Sequence, residues 1–305
     1  MRIVSFLPSA TETLCELGAG GQIVGVTHEC NFPSLAKKKP RIIKPTFDPK
    51  SMTARQVDNK IVELMHSGKD IYVVDGKILK RVNPDLIIAQ GICEVCSPFT
   101  KEINKALRIL GNRPDVLVLD PRDFDDILLN IMEVAKKINK VSQGRKLVSS
   151  LQKRIENVRS MNLRKETKPK VLCIEWIDPL YTAGHWVPQM VELAGGKNAL
   201  SSSGEPSRRM DMEEAVNLNP DIIVLMPCGF GINRTLKELR ALSNDEKWNS
   251  LSAVKCKSIY VVNANAYFSK PGPRIVVGLE ILAKILHPET SKHIRVPIGS
   301  FKKIH

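Results

Sequence analysis

The chemistry-bearing residues of this 305-residue chain come in short groups, and the densest is Gly91-Ile-Cys-Glu-Val-Cys-Ser-Pro-Phe99. Cys93 and Cys96 form a CxxC pair, Glu94 adds a carboxylate and Phe99 a ring. Two thiols at this spacing suit half of a tetrahedral zinc or iron site or a redox disulfide. They also occur as plain wall residues. No second CxxC is present, so a four-ligand metal site needs His28, Cys30, His185 or Cys228 to converge from other loops. Further groups are His28-Glu29-Cys30, Glu175-Trp176, Tyr181, His185-Trp186, Arg208-Arg209, Cys228 with Phe230, and Tyr267-Phe268. Trp and Tyr rings present flat amphipathic area that suits a macrocycle. Arginines grip amide or phosphate oxygens, or pair with local carboxylates. No Ser-His-Asp order, GxSxG, P-loop, HExxH or GxGxxG occurs, so no nucleophile-base pair stands out.

The elements that would position these residues are alternating strands and helices. Residues 2–6 read as a buried strand. Ser9 or Thr11 then caps a first helix that stops at Gly18, and Ser9 there is a candidate for holding an anionic or amide group of a ligand. IVGVT is a second strand, ending at His28. Residues 31–52, with four prolines, read as loop. Helix 53–67, strand 71–75, helix 76–82 and the strand of NPDLIIAQ lead into the CxxC loop, followed by helix 100–111 and strand 115–120. One helical periodicity then covers 123–161, either a single long helix or two joined at Gly144. A second α/β series starts at Val171 and closes with a helix over 274–286, and the residues after Pro288 read as a loose tail. Every chemistry-bearing group thus falls at a strand exit, where open α/β sheets bind ligands.

Composition bounds the class. Hydrophobic content of 43% and charged content of 26% are those of a globular chain. The net charge of +14 sits largely in solvated lysine runs without interleaved aromatics, which argues against nucleic-acid binding. The start MRIVSFLPSATE does not read as an export signal, and seven irregularly spaced cysteines do not read as a disulfide framework. Both features predict a cytoplasmic protein.

The two halves echo each other: Asn83-Pro-Asp-Leu-Ile-Ile matches Asn219-Pro-Asp-Ile-Ile-Val, each with a cysteine-bearing exit. The expected architecture is α/β, with two similar lobes, each a mainly parallel sheet flanked by helices, bridged by one long helix. The boundaries are 1–122 for the first lobe, 123–166 for the long helix and linker, and 167–305 for the second lobe. Strand ends of both lobes are expected to face one cleft.

At this point the motifs RIVSFLPSATE, HEC, the paired NPD strands, CEVC, GHWVP, SRR, MPCGF and KPGPRIVVGLEIL together resemble the helical-hinge (class III) periplasmic-binding-protein superfamily, over roughly residues 1–290. The likeness is to cobalamin-binding members without an export signal. It implies reversible, non-catalytic binding of cobalamin or a related corrinoid, with a thiolate or imidazole as a further candidate for cobalt ligation. The implied ligand wall is Ser9, Glu29, Glu94, Phe99, Trp176, Tyr181, His185, Trp186, Arg208, Arg209, Phe230, Tyr267 and Phe268. His28, Cys30, Cys93, Cys96 and Cys228 are the candidate ligands for zinc or iron. The competing reading is a metal- or thiol-dependent intracellular enzyme centred on Cys93 and Cys96 with His28 and His185. A third is a docking subunit for a membrane importer. Oligomeric state is not encoded in any motif.

Overall fold

The computed structural model describes residues 1–91, 100–111, 114–162, 167–198 and 200–304. Cys93, Glu94, Cys96 and Phe99 therefore lie outside the described residues. In chain order the first part comprises β1 (Ile3–Ser5), α1 (Pro8–Glu16), β2 (Ile23–Thr27), α2 (Ser34–Lys37), β3 (Arg41–Pro45), α3 (Ala54–His66), β4 (Tyr72–Val74), α4 (Gly76–Val82), β5 (Leu86–Gln90), α5 (Thr100–Leu110), β6 (Asp115–Leu119), α6 (Phe124–Lys137) and α7 (Val141–Asn162). The second part follows with β7 (Lys170–Trp176), β8 (Tyr181–Thr182), α8 (Val187–Leu193), β9 (Lys197–Asn198), α9 (Met212–Leu218), β10 (Ile222–Leu225), α10 (Ile232–Leu239), α11 (Glu246–Ser250), α12 (Ser252–Lys255), β11 (Ile259–Val262), α13 (Ala264–Tyr267), α14 (Ile275–Leu286) and β12 (Phe301–Ile304). The chain divides into two compact units. One holds residues 1–52, 59–121 and 125–150; the other holds 53–58, 122–124 and 151–305. The fold is α/β and two-lobed, with sheets flanked by helices.

The first unit's sheet runs β4-β3-β2-β1-β5-β6, parallel except for β4. Its strands read as continuous apolar runs because both faces are covered. Ile3, Leu86 and Ile88 pack with Leu14, Val134 and Ile138 on one side. Val4, Phe6, Ile87 and Ala89 pack with Ile42, Leu79 and Ile103 on the other. The second unit's sheet runs β12-β11-β10-β7-β8, with β9 also paired to β7. Its β7, β10 and β11 are parallel, and β8 and β12 are antiparallel edges. In each sheet the strand order reverses beside the first strand of the unit, between β1 and β5 and between β7 and β10. In open α/β sheets, ligands bind at the carboxyl ends of strands beside such switch points.

The NPD echo has a structural cause that repeats bond for bond. Asp75 caps α4 by accepting from the Ile78 amide, and Asp211 caps α9 by accepting from the Glu214 amide. Each of these seven-residue helices ends on an asparagine in the left-handed region, Asn83 at φ 35° and Asn219 at φ 43°. Asparagine tolerates that conformation better than most side chains. The carboxylate of Asp85 then accepts from the Arg2 amide at 2.7 Å, and that of Asp221 from the Lys170 amide at 2.7 Å. The basic side chains return the tie: Arg2 donates to the Val82 carbonyl and Lys170 to the Leu218 carbonyl. So NPD is a splice that fixes each helix-to-strand junction against the first strand of its unit.

Several expectations need correction. The stretch 123–161 is two helices broken at 138–140, where Asn139 has φ 57°, and Gly144 lies inside α7. Gly144 is there for contact, since a Cβ would stand 2.5 Å from the Ala135 Cβ and 3.1 Å from the Met132 sulfur. Ser9 and Thr11 do not cap α1: its N-cap is Leu7, without a side-chain cap, and Thr11 Oγ1 donates back to the Leu7 carbonyl at 3.4 Å. The proline-rich stretch 31–52 contains α2 and β3, whose Ile42 and Ile43 are fully buried. The tail is ordered, because β12 pairs with β11 and Lys284 Nζ donates to the carbonyls of Ser291 and Ile294. Among the described residues no helix is long and apolar enough to cross a membrane.

Candidate functional site

In the first unit, the turn after β2 holds His28, Glu29 and Cys30. His28 Nε2 lies 3.7 Å from Glu29 Oε1, and its ring tilts against Tyr72 at 5.8 Å between centroids. The turn is fixed by Arg41, whose guanidinium donates to the carbonyls of Thr27 and Cys30 at 2.6 and 2.8 Å. Cys30 points inward, fully buried, with its sulfur 3.1 Å from Thr11 Oγ1. It is a small core residue here, as free thiols often are. Ser9 is likewise buried at the start of α1. Among the described residues no group of three or more His, Cys, Asp or Glu side chains could hold a metal ion. The proposed metal set therefore has no support from His28, Cys30 and Cys228, and Cys93 and Cys96 fall outside the described part.

The second unit carries a denser arrangement at the carboxyl ends of β7 and β10. Trp176 closes β7, and its ring meets Phe230, four residues beyond the β10 exit at Met226, at 5.0 Å between centroids. Arg234 stacks over Phe230 at 3.9 Å and lies 3.9 Å from Glu238. Among the described residues, the buried Trp176 indole N–H has no hydrogen-bond partner. Such a donor, orphaned at a switch point, costs about 1–3 kcal/mol unless a further group accepts from it. Cys228 lies in the same exit, its amide donating to the Glu175 carbonyl at 3.0 Å. Deeper in β7, burial pushes the Cys173 thiol far up, so it stays protonated and inert.

A two-stranded ribbon flanks this corner. Residues 204–210 run against 180–185 through four main-chain bonds: Met210 to Leu180, Thr182 to Arg208, His185 to Glu205 and Gly204 to His185. Glu175 ties the ribbon to the sheet, accepting from Ser207 Oγ at 2.7 Å and from the Gly184 amide at 3.4 Å. Arg209 lies over the Tyr181 ring, donates to its hydroxyl at 2.8 Å and pairs with Asp58 at 2.6 Å. Asp58 belongs to the start of α3, residues 53–58, which clusters with this unit. In the same turn Arg55 forks onto Asp178 at 2.6 and 2.9 Å. Arg208 forks onto Glu214 at 2.6 and 3.2 Å, closing the cap of α9.

Trp186 and Phe268 are interior. Trp186 is 6% exposed and its indole donates to the Phe268 carbonyl at 2.8 Å. His185 stacks on Trp186 at 5.6 Å, with its backbone in the left-handed region at φ 53°. Tyr267 is half-buried, with Arg274 over its ring at 5.7 Å. The sequence reading missed Asp58, Ser207 and Arg234. Arg234 had a local signal, since it follows Phe230 at four residues, whereas Asp58 meets Arg209 across 151 residues of chain.

The Arg208–Glu214 pair gives a pH prediction. The hydrogen bond from Arg208 holds the Glu214 carboxyl below its usual range, helped by the Asp211 amide, against a smaller opposing effect of desolvation. A lowered folded pKa stabilises the fold above the unfolded value and ceases to do so as pH falls through the folded one. Thermal unfolding from pH 7 to pH 3 should therefore show a smaller acid loss in Glu214→Gln than in the unaltered protein. Because the pair is exposed, the difference is small.

Comparison with known proteins now bears on this arrangement. Residues 3–266 match the model of the periplasmic binding protein family. The chain belongs to the periplasmic binding protein family. A relative from Bacillus subtilis (strain 168), the uncharacterized ABC transporter substrate-binding lipoprotein YvrC, is 25% identical over 296 residues, covering 95% of this chain and 81% of the relative. Among solved structures, a periplasmic heme binding protein from Pseudomonas aeruginosa superposes with a TM-score of 0.73 at 16% identity, over 100% of this chain and 98% of that one. The periplasmic vitamin B12 binding protein BtuF of Vibrio cholerae gives 0.68 at 21% identity, over 96% and 98%. These likenesses show the fold. They also overturn the expectation of a cytoplasmic protein, since the family and the relatives are named as periplasmic proteins or lipoproteins.

Proposed function

We propose that this periplasmic binding protein binds a corrinoid, cobalamin or a close relative, reversibly and without chemistry, and hands it to an ABC-type importer. The observation that carries the reading is the corner at the second unit's switch point. Trp176 and Phe230 supply ring surface, and the orphaned indole N–H supplies a donor that a carbonyl of the ligand would satisfy. The charge balance favours a neutral, amide-bearing ligand. Arg208 and Arg209 are each already paired with a carboxylate, so the ribbon offers no uncommitted guanidinium for a ligand bearing two carboxylates. Amide-rich corrin side chains need donors and acceptors in a mixed polar rim, which Tyr181, Arg209 and Asp58 present. Relatives named for heme and for vitamin B12 share the fold, and the competition between those ligands is the discriminating measurement.

Titration of the purified protein with cyanocobalamin should shift the corrin absorption bands and raise the unfolding midpoint by binding linkage. Hemin under the same conditions should bind at least tenfold more weakly. Saturable heme binding with no response to any corrinoid would falsify the ligand assignment. Loss of both responses, with stoichiometric zinc or iron on elemental analysis, would favour the metal-dependent alternative.

A further inference from the structure

We propose that residues 31–39 of the first unit form a docking surface for an anionic lipid surface. The segment Asn31-Phe-Pro-Ser-Leu-Ala-Lys-Lys-Lys39 places two large apolar side chains in solvent, Phe32 at 43% and Leu35 at 40% exposure. Ala36 is buried and anchors α2 to the core. Lys38 and Lys39 follow Leu35 at three and four residues, the spacing that sets side chains on one helical face.

The charge of this segment is uncompensated. Some other surface lysines are paired, Lys60 with Glu63, Lys137 with Asp115 and Lys292 with Glu289. Among the described residues Lys37, Lys38 and Lys39 take part in no ion pair, so three positive charges stand beside an aromatic and an aliphatic side chain. That combination matches an interface of anionic headgroups over acyl chains: lysines attract the phosphates while the apolar groups enter the boundary. The net charge of +14 adds a long-range pull of the same sign.

The position of the segment fits such contact. Leu35 packs on the turn before β2, its Cδ2 2.8 Å from where a Cβ would stand on Gly20. That turn is at the amino-terminal edge of the sheet, where β2 begins. Leu35 thus lies at the edge opposite the strand exits, while Phe32 follows the end of β2 at Thr27 in the connection that leads to it.

The test is flotation of the full chain with vesicles of phosphatidylcholine, with and without phosphatidylglycerol. The protein should float with the anionic vesicles, remain behind with phosphatidylcholine alone, and dissociate as salt is raised. Lys37→Gln, Lys38→Gln and Lys39→Gln together should weaken vesicle binding by about 100-fold. Phe32→Ser with Leu35→Ser should weaken it by roughly tenfold or more. Matched removal of charge elsewhere, Lys302→Gln with Lys303→Gln, should change it little. No flotation with phosphatidylglycerol, retention of binding in the lysine variant, or an equal loss per charge in the Lys302 and Lys303 variant would each overturn the proposal. All five positions are on the surface, so thermal unfolding of the same variants reports that the fold is intact.

Discussion

Replacing Gly184 with alanine is expected to lower stability by about 3 kcal/mol and to abolish most of the ligand affinity. A Cβ at this position would stand 2.6 Å from the Glu205 carbonyl oxygen and 2.6 Å from the Pro206 carbonyl carbon, and would also strike the Ser207 nitrogen. All three are backbone atoms, so no side chain can rotate away. The two strands of the ribbon must separate instead. Separation strains the bonds of His185 to Glu205 and Gly204 to His185 and pulls Ser207 away from Glu175. The consequence reaches the proposed ligand wall because Arg208 and Arg209 ride on the same strand as Ser207. With the ribbon displaced, Arg209 loses its place over Tyr181 and its pair with Asp58. The measurement is a pair of curves on one preparation, thermal unfolding and corrinoid titration. Unchanged affinity in a folded Gly184→Ala protein would show that the ribbon does not shape the site.

Which parts of this were legible in the sequence follows from the range of the interactions that decide them. The NPD junctions were visible because a short run of adjacent residues carries the cap, the turn and the start of a buried strand. The two-lobed α/β fold followed from that repeat and from apolar runs too continuous for one-faced strands. Gly144 was misread because a glycine in a helix signals either a break or a close neighbour, and only Ala135 and Met132 reveal which. β3 was hidden by flanking prolines, although Ile42 and Ile43 are both buried. β12 had no pattern to read, since its sequence FKKI is an edge whose pairing partner lies about forty residues earlier, with Phe301 opposite Val262. Clustering of aromatics at strand exits was correct as a statement about sequence position, but it does not say which rings turn inward. The metal reading failed at Cys30 for a related reason. A cysteine beside a histidine looks like a ligand until its sulfur is found against Thr11 in the core.

The two tryptophans at this corner should behave in opposite ways. Trp186→Ala is expected to cost about 4 kcal/mol of stability, the range of large aromatic deletions from a core. Its ring is 6% exposed, and its indole N–H satisfies the Phe268 carbonyl, which would be left unpaired. Trp186→Phe keeps most of the packing and loses the bond, so its cost should fall to about 2 kcal/mol. Neither change should weaken ligand binding once the protein is folded, because the ring serves as an internal brace between the GHWVP loop and the turn after α13. Trp176 is the counterpart. It is half-buried, and among the described residues its N–H has no partner to lose. Removing an orphaned donor also removes its desolvation penalty, so Trp176→Phe should be close to neutral in stability. If that N–H meets a ligand carbonyl, the same change should reduce corrinoid affinity by about tenfold, the worth of one well-placed hydrogen bond. Chemical denaturation and corrinoid titration of the variants separate the two effects. A Trp176→Phe protein that binds as tightly as the unaltered one would remove this indole from the ligand wall, and a stable Trp186→Ala protein would show that the brace is not needed.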